Sequence, residues 1–152
     1  YSPQYEDPTR PVNSARFVFL NQRATEYFVD WDVIANDCVS ILRAEAGRDP
    51  YDKRLSDLIG ELSTRSEEFR VRWAAHDVKL HRTGVKRFHH PVVGDLTLDF
   101  ETLDLPGDPG QKVLVYSAEP ASPSQECLDL LASWVSAPGA PLRADGPTTE
   151  HI

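Results

Sequence analysis

The sequence has no methionine and only two cysteines among its 152 residues. Cys38 and Cys127 stand far apart, without a C-x-x-C partner or a disulfide-rich setting, so both read as reduced, buried thiols. The chain starts at Tyr1; lacking an initiator, it is expected to be a piece of a longer product. No apolar run approaches the length that spans a bilayer, and no apolar signal segment stands at the N-terminus. A soluble, cytoplasmic protein without a membrane partner is expected. A G-x-S-x-G elbow is absent, and the prolines of "LPGDPGQ" deny that loop the backbone donors of a phosphate cradle. Neither catalytic residues nor a resident cofactor is expected.

What is there is ordinary for one globular domain: 40% hydrophobic and 26% charged residues, enough to bury a core. The formal charge is -8, so a phosphate backbone repels the chain at long range. Against that background, residues 72–94 collect Arg72, Lys79, Arg82, Lys86 and Arg87 opposite Asp77 alone, together with four of the five histidines. This basic span is too short and isolated to carry DNA binding, and no DNA-binding residue is expected here. Nor do the histidines have metal spacing. His76 and His81 straddle a helix end, while His89 and His90 are adjacent and point to opposite faces of a strand. No metal site is expected.

Residues 1–12, with three prolines, read as a linker or N-terminal remnant, residues 13–136 as the domain, and residues 137–152 as a flexible tail. Asn13 caps a helix using Phe17 and Leu20, and a helical pattern resumes to Phe28. From Trp31 the residues Ile34, Cys38, Ile41 and Leu42 keep a 3.6-residue spacing up to Gly47, a C-cap candidate. Leu55, Leu58, Ile59 and Leu62 form the next stripe, weakened at Gly60. Ser66 starts a helix with Phe69, Trp73 and His76 on one face. The period then changes. "GVKRFHHPVV" is extended, "VGD" turns, and "DLTLDFETL" alternates. "KVLVYSA" reads as a strand buried on both faces or central in its sheet. Ser122, Pro123 and Gln125 form a capping box for a last helix through Leu128, Leu131 and Val135.

Helices, a three-strand antiparallel meander and a closing helix make an α+β fold with helices on one sheet face. Such a sheet leaves the "VLVY" strand with an unpaired edge. A segment upstream of Tyr1, a partner chain or residues 1–12 is expected to cover it. Phe28, Trp31, Phe69, Trp73, Phe88, Phe100 and Tyr116, with His76 and His90 as polar points, either line an apolar cavity or fill the core.

Four segments, "NSARFVFL", "DWDVIANDCVSILRAEAGRDPYDKRLSDLIGELSTRSEEFRVRWAAHDV", "KRFHHPVVGDLTLDFETL" and "VYSAEPASPSQECLDLLA", resemble the C-terminal ligand-binding domain of MmyB-like transcription regulators. The similarity runs from about Asn13 to Trp134, in order and without a large insertion. It implies a regulator of the XRE type, common in actinomycetes: an upstream helix-turn-helix domain that contacts DNA, followed by a PAS-like sensor for a small, apolar or fatty-acid-like molecule. Nothing here matches the helix-turn-helix, and the segment expected to supply the first strands of a PAS-like sheet is also missing. The family's "AEPGSPS" is "AEPASPS" here, so Ala121 implies either a milder turn or slight strain. On this resemblance the ligand site is expected at Trp31, Leu42, Phe69, Trp73, His76, His90, Phe100 and Tyr116, and the full-length regulator is expected to be a homodimer. The alternative is a dimerisation or interaction module with no ligand of its own.

Overall fold

The computed structural model describes residues 13–75, 81–107 and 110–135. Among them six helices and three strands follow in the order α1 (Ser14–Leu20), α2 (Ala24–Tyr27), α3 (Trp31–Arg48), α4 (Lys53–Arg65), α5 (Glu67–Ala75), β1 (Thr83–His90), β2 (Gly94–Asp104), β3 (Lys112–Ser117) and α6 (Pro123–Val135). The fold is α+β, with one open antiparallel sheet in the order β1-β2-β3.

Polar caps set the helix starts. The Asn13 side chain accepts from Arg16 N at 3.0 Å, Asp52 from Arg54 N at 2.8 Å and Leu55 N at 3.1 Å, Ser66 from Phe69 N at 3.1 Å, and Ser122 from Gln125 N at 3.2 Å. Each fills backbone donors that a helix leaves open in its first turn. The box at Ser122 is only half formed, because Gln125 Nε2 donates to Asp129 at 2.8 Å instead of turning back. Gly47 is not the end of α3: its φ is not positive, and the helix runs on to Arg48, with Asp49 as the C-cap. Gly60 likewise sits inside an unbroken α4.

The helices bury two clusters. Val39, Leu42, Leu58, Leu62 and Phe69 knit α3, α4 and α5 together away from the sheet. Phe17, Val18, Phe28, Phe88, Leu96 and Leu98 form the second, between helices and sheet. Strand alternation explains it: Phe88 and His90 on β1, and Leu96, Leu98 and Phe100 on β2, are all buried, whereas most of their neighbours are exposed. A single bridge, Phe28 to Phe88, ties the helical layer to β1, with Val29 N donating to Arg87 O at 3.2 Å. Arg87 Nε donates to Asp30 at 2.8 Å beside it.

Two expectations need correction. The turn between β1 and β2 occupies residues 91–93, and Gly94, at φ 80°, already opens β2. More substantially, β3 is neither central nor buried: it is the sheet's edge strand, and all six of its residues are exposed. Its apolar run signals a face that nothing among the described residues covers. Residues 1–12, one of the three candidates expected to cover its edge beside an upstream segment and a partner chain, lie outside those residues, as does the tail from 137.

Ala121 adopts the left-handed conformation, φ 61°, in the tight turn where Ser122 N reaches Glu119 O at 3.1 Å. The Cβ of an L-residue costs about 1 kcal/mol or more there. Ala121→Gly is therefore expected to raise unfolding stability by roughly 1 kcal/mol in urea melts, after the entropy that Gly adds to the unfolded chain is offset; an unchanged or lower midpoint would contradict the strain.

Candidate functional site: a cavity between helices and sheet

Between the helical layer and the inner face of the sheet lies a cavity of about 480 Å³. Its roof comes from α1 through Ala15 and Val18, and from α3 through Ile34, Asp37, Cys38, Ile41 and Leu42. Its floor is the even-numbered face of the sheet: Lys86, Phe88 and His90 on β1, Leu96 and Leu98 on β2, Leu114 and Tyr116 on β3. Leu128 and Leu131 of α6 close one side. Exposed apolar lining residues mark the mouth: Ile41 at 45%, Leu114 at 43% and Tyr116 at 39%. The cavity therefore opens between α3 and the free strand β3. Its volume and apolar walls with few polar groups are those of a small-molecule site.

Polar groups interrupt these walls, five of them on α3 and the sheet. His90 is buried, and its Nδ1 accepts from Val92 N at 3.3 Å and Val93 N at 3.4 Å. An Nδ1 that accepts leaves the proton on Nε2, and Nε2 is buried without a hydrogen-bond partner among the described residues. Desolvation holds the His90 pKa below its ordinary value, so the ring stays neutral and presents an unanswered donor. Lys86 is half-buried, with Nζ 4.3 Å from the centre of the Phe100 ring, and burial lowers its pKa despite the opposing charge of Asp37. Asp37, also buried, takes His81 Nδ1 at 2.7 Å. Burial, reinforced by Asp37, pushes the Cys38 thiol up to about 12. That thiol is protonated and not a nucleophile. Tyr116 also has a raised pKa from burial, which keeps its hydroxyl neutral.

The residues expected at the site divide. Leu42, His90 and Tyr116 line the cavity. Trp31, Phe69 and Trp73 do not. The Trp31 indole donates to Val18 O at 3.0 Å under the Arg72 guanidinium, and Trp73 stacks on Phe69 at 5.4 Å with the Arg43 guanidinium 4.4 Å from the centre of its ring, in the helical cluster. Phe100 shares the sheet's inner face but sits at its far end, against Gly84, where a Cβ would meet the ring at 3.1 Å. His76 lies outside the described residues. Reasoning from the sequence passed over Lys86, although the strand period of two already puts it on the same face as Phe88 and His90.

Comparison with known proteins now becomes decisive. The family model for the MmyB-like transcription regulator ligand binding domain matches residues 1–131. The chain belongs to this family. No curated protein matches it at a significant level. The MmyB-like domain is thus a ligand-sensing unit of a transcription regulator, and no described helix is long and apolar enough to cross a membrane.

His90 makes the domain acid-sensitive in a defined direction. Between its depressed folded pKa and the ordinary value of 6.5, the unfolded chain binds a proton that the folded chain refuses. The contribution is fully present above pH 6.5 and lost as pH falls through that window. Thermal melts at pH 8 and pH 5 should show a larger loss for the native chain than for His90→Asn, which keeps an acceptor for the two amides; equal losses would show that His90 does not titrate in this way.

Proposed function

We propose that the domain binds a small apolar or fatty-acid-like molecule in the cavity between α3 and the sheet, and that occupancy controls a helix-turn-helix DNA-binding domain upstream in an XRE-type regulator. The observation that carries this reading is an apolar cavity holding a buried, unpartnered donor, His90 Nε2. A donor hidden from water without a partner costs on the order of 1–3 kcal/mol, and a ligand acceptor recovers that cost. Binding alone does not signal. The molecule must favour one arrangement of the domain over another by its differential affinity. The mouth suits that role, because Ile41 on α3 and Leu114 and Tyr116 on β3 meet across it and a seated ligand ties the two elements together. In this reading the domain performs no chemistry: the thiol facing the cavity is protonated, and the one cavity carboxylate is occupied by His81.

Native mass spectrometry of the purified chain is expected to show a copurified small molecule that leaves on denaturation. Ile41→Trp, at an exposed position of the mouth, is expected to weaken uptake of a medium-chain fluorescent acyl probe at least about tenfold, the equivalent of about 1.4 kcal/mol. Trp73→Ala, outside the cavity, is expected to lower stability and leave probe affinity alone. Absence of any bound molecule together with equal probe affinity for the native chain and Ile41→Trp would remove the proposal.

A second reading, a homodimerisation module, is favoured by β3, whose Val113, Leu114, Val115 and Tyr116 are exposed on an edge that no described strand pairs. If it holds, sedimentation shows a dimer that Val115→Lys converts to monomer; a monomeric native chain at micromolar concentration rules it out.

A further inference from the structure

The two polar residues of β1 that line the cavity are of different chemical kinds. Lys86 carries a charged ammonium with three donors and forms no ion pair among the described residues; Asp37, the acid on the facing helix, is beyond ion-pair distance from it and is engaged by His81 at 2.7 Å. His90 offers one neutral donor, Nε2–H, with no partner. They are four residues apart on one strand and face the same side, with Phe88 between them, so their backbones are separated by roughly 13 Å. An ordinary core would place apolar residues at both positions. Leaving a charge and an orphaned donor on the floor of one apolar cavity disfavours the empty fold at both ends.

We infer that the ligand is a two-headed amphiphile, an anionic group seated at Lys86 and an oxygen acceptor roughly 13 Å further along its chain seated at His90. The inference rests on the cavity being the ligand site, as proposed above, and narrows the ligand from any apolar molecule to an oxygenated acid. Lys86 selects the anion, since an ammonium partly withdrawn from water gains most from an opposite charge. His90 selects the second oxygen, because a chain ending in a methyl leaves its donor unanswered, and such a mismatch is where polar sites discriminate most sharply. Phe88, Leu96 and Leu98 take the methylene stretch between them.

Calorimetry on the 152-residue chain with dodecanoate, dodecanol and ω-hydroxydodecanoate tests each contact. The expected order of affinity is ω-hydroxydodecanoate, then dodecanoate, then dodecanol. Lys86→Met should weaken both acids about tenfold and spare the alcohol, a change typical of losing a charged hydrogen bond. Asp37→Asn, by removing the nearby negative charge, should tighten both acids and leave the alcohol unchanged. His90→Asn, which retains an acceptor for the amides of Val92 and Val93, should abolish the preference for ω-hydroxydodecanoate over dodecanoate. Binding of all three with equal affinity, or losses in Lys86→Met that are the same for acid and alcohol, would overturn the two-headed ligand while leaving an apolar site intact. Failure of all three to bind the native chain would overturn the site itself and this inference with it.

Discussion

The contact between Phe28 and Phe88 holds the two halves of this domain together. It joins the end of α2 to the middle of β1 by a single bridge, backed by Val29 N to Arg87 O and by the Arg87 pair with Asp30. The rings lie 5.8 Å apart, and Phe17 and Tyr27 meet them edge-on or tilted. Everything beyond that aromatic knot depends on its position. On one side, α3, α4 and α5 pack among themselves around Leu62 and Phe69; on the other, the sheet spreads outward to β3. Around that knot Phe17, Val18 and Ala35 of the helices pack against Phe88, Leu96 and Leu98, and α6 docks on β2 through Ser124, yet the space between α3 and β3 is left unfilled. The cavity is that unfilled space.

An unfilled apolar space is costly, and polar groups facing it add to the cost. The domain tolerates His90 and Lys86 there because the helical cluster is independently well packed, with Leu62 and Phe69 fully buried. The helical cluster and the cavity thus occupy largely different parts of the molecule, sharing Ala15 and Leu42. The large aromatics of α5 belong to the cluster, while aliphatic residues, the rings of Tyr27, Phe28, Phe88 and Tyr116, and Lys86 and His90 of β1 line the cavity. In the reading proposed above, a ligand filling the cavity acts on the relation of α3 to β3 while the helical cluster stays packed.

Helix positions were readable because their causes are local: Asn13, Asp52, Ser66 and Ser122 are caps recognisable in any context, and the apolar spacing from Trp31 to Leu42 shows itself within one element. The sheet's inner face was readable for the same reason, as alternation in "DLTLDF" directly marks Leu96, Leu98 and Phe100. The burial of "KVLVY" was not. An apolar run reports that a strand suits a partner on both faces, not whether that partner belongs to the same fold. Gly47 misled for a comparable reason, since a glycine permits a helix to end without requiring it.

The site divides along the same line. The sequence by itself determined the family, through ordered motifs from "NSARF" to "SPSQECL", the α+β order of elements and the facing of His90. It also determined that Trp31, Phe69 and Trp73 would be inside something. Only the tertiary structure decided what: an indole bonded to Val18 O and a ring stacked in the helical cluster lie away from the cavity, while Lys86, ordinary in a list of charges, lies within it. Periodicity specifies which face of an element is buried, and that is a property of neighbours in the chain. Which buried faces meet tightly and which leave a gap depends on how far one element stands from another, and no local pattern encodes that distance.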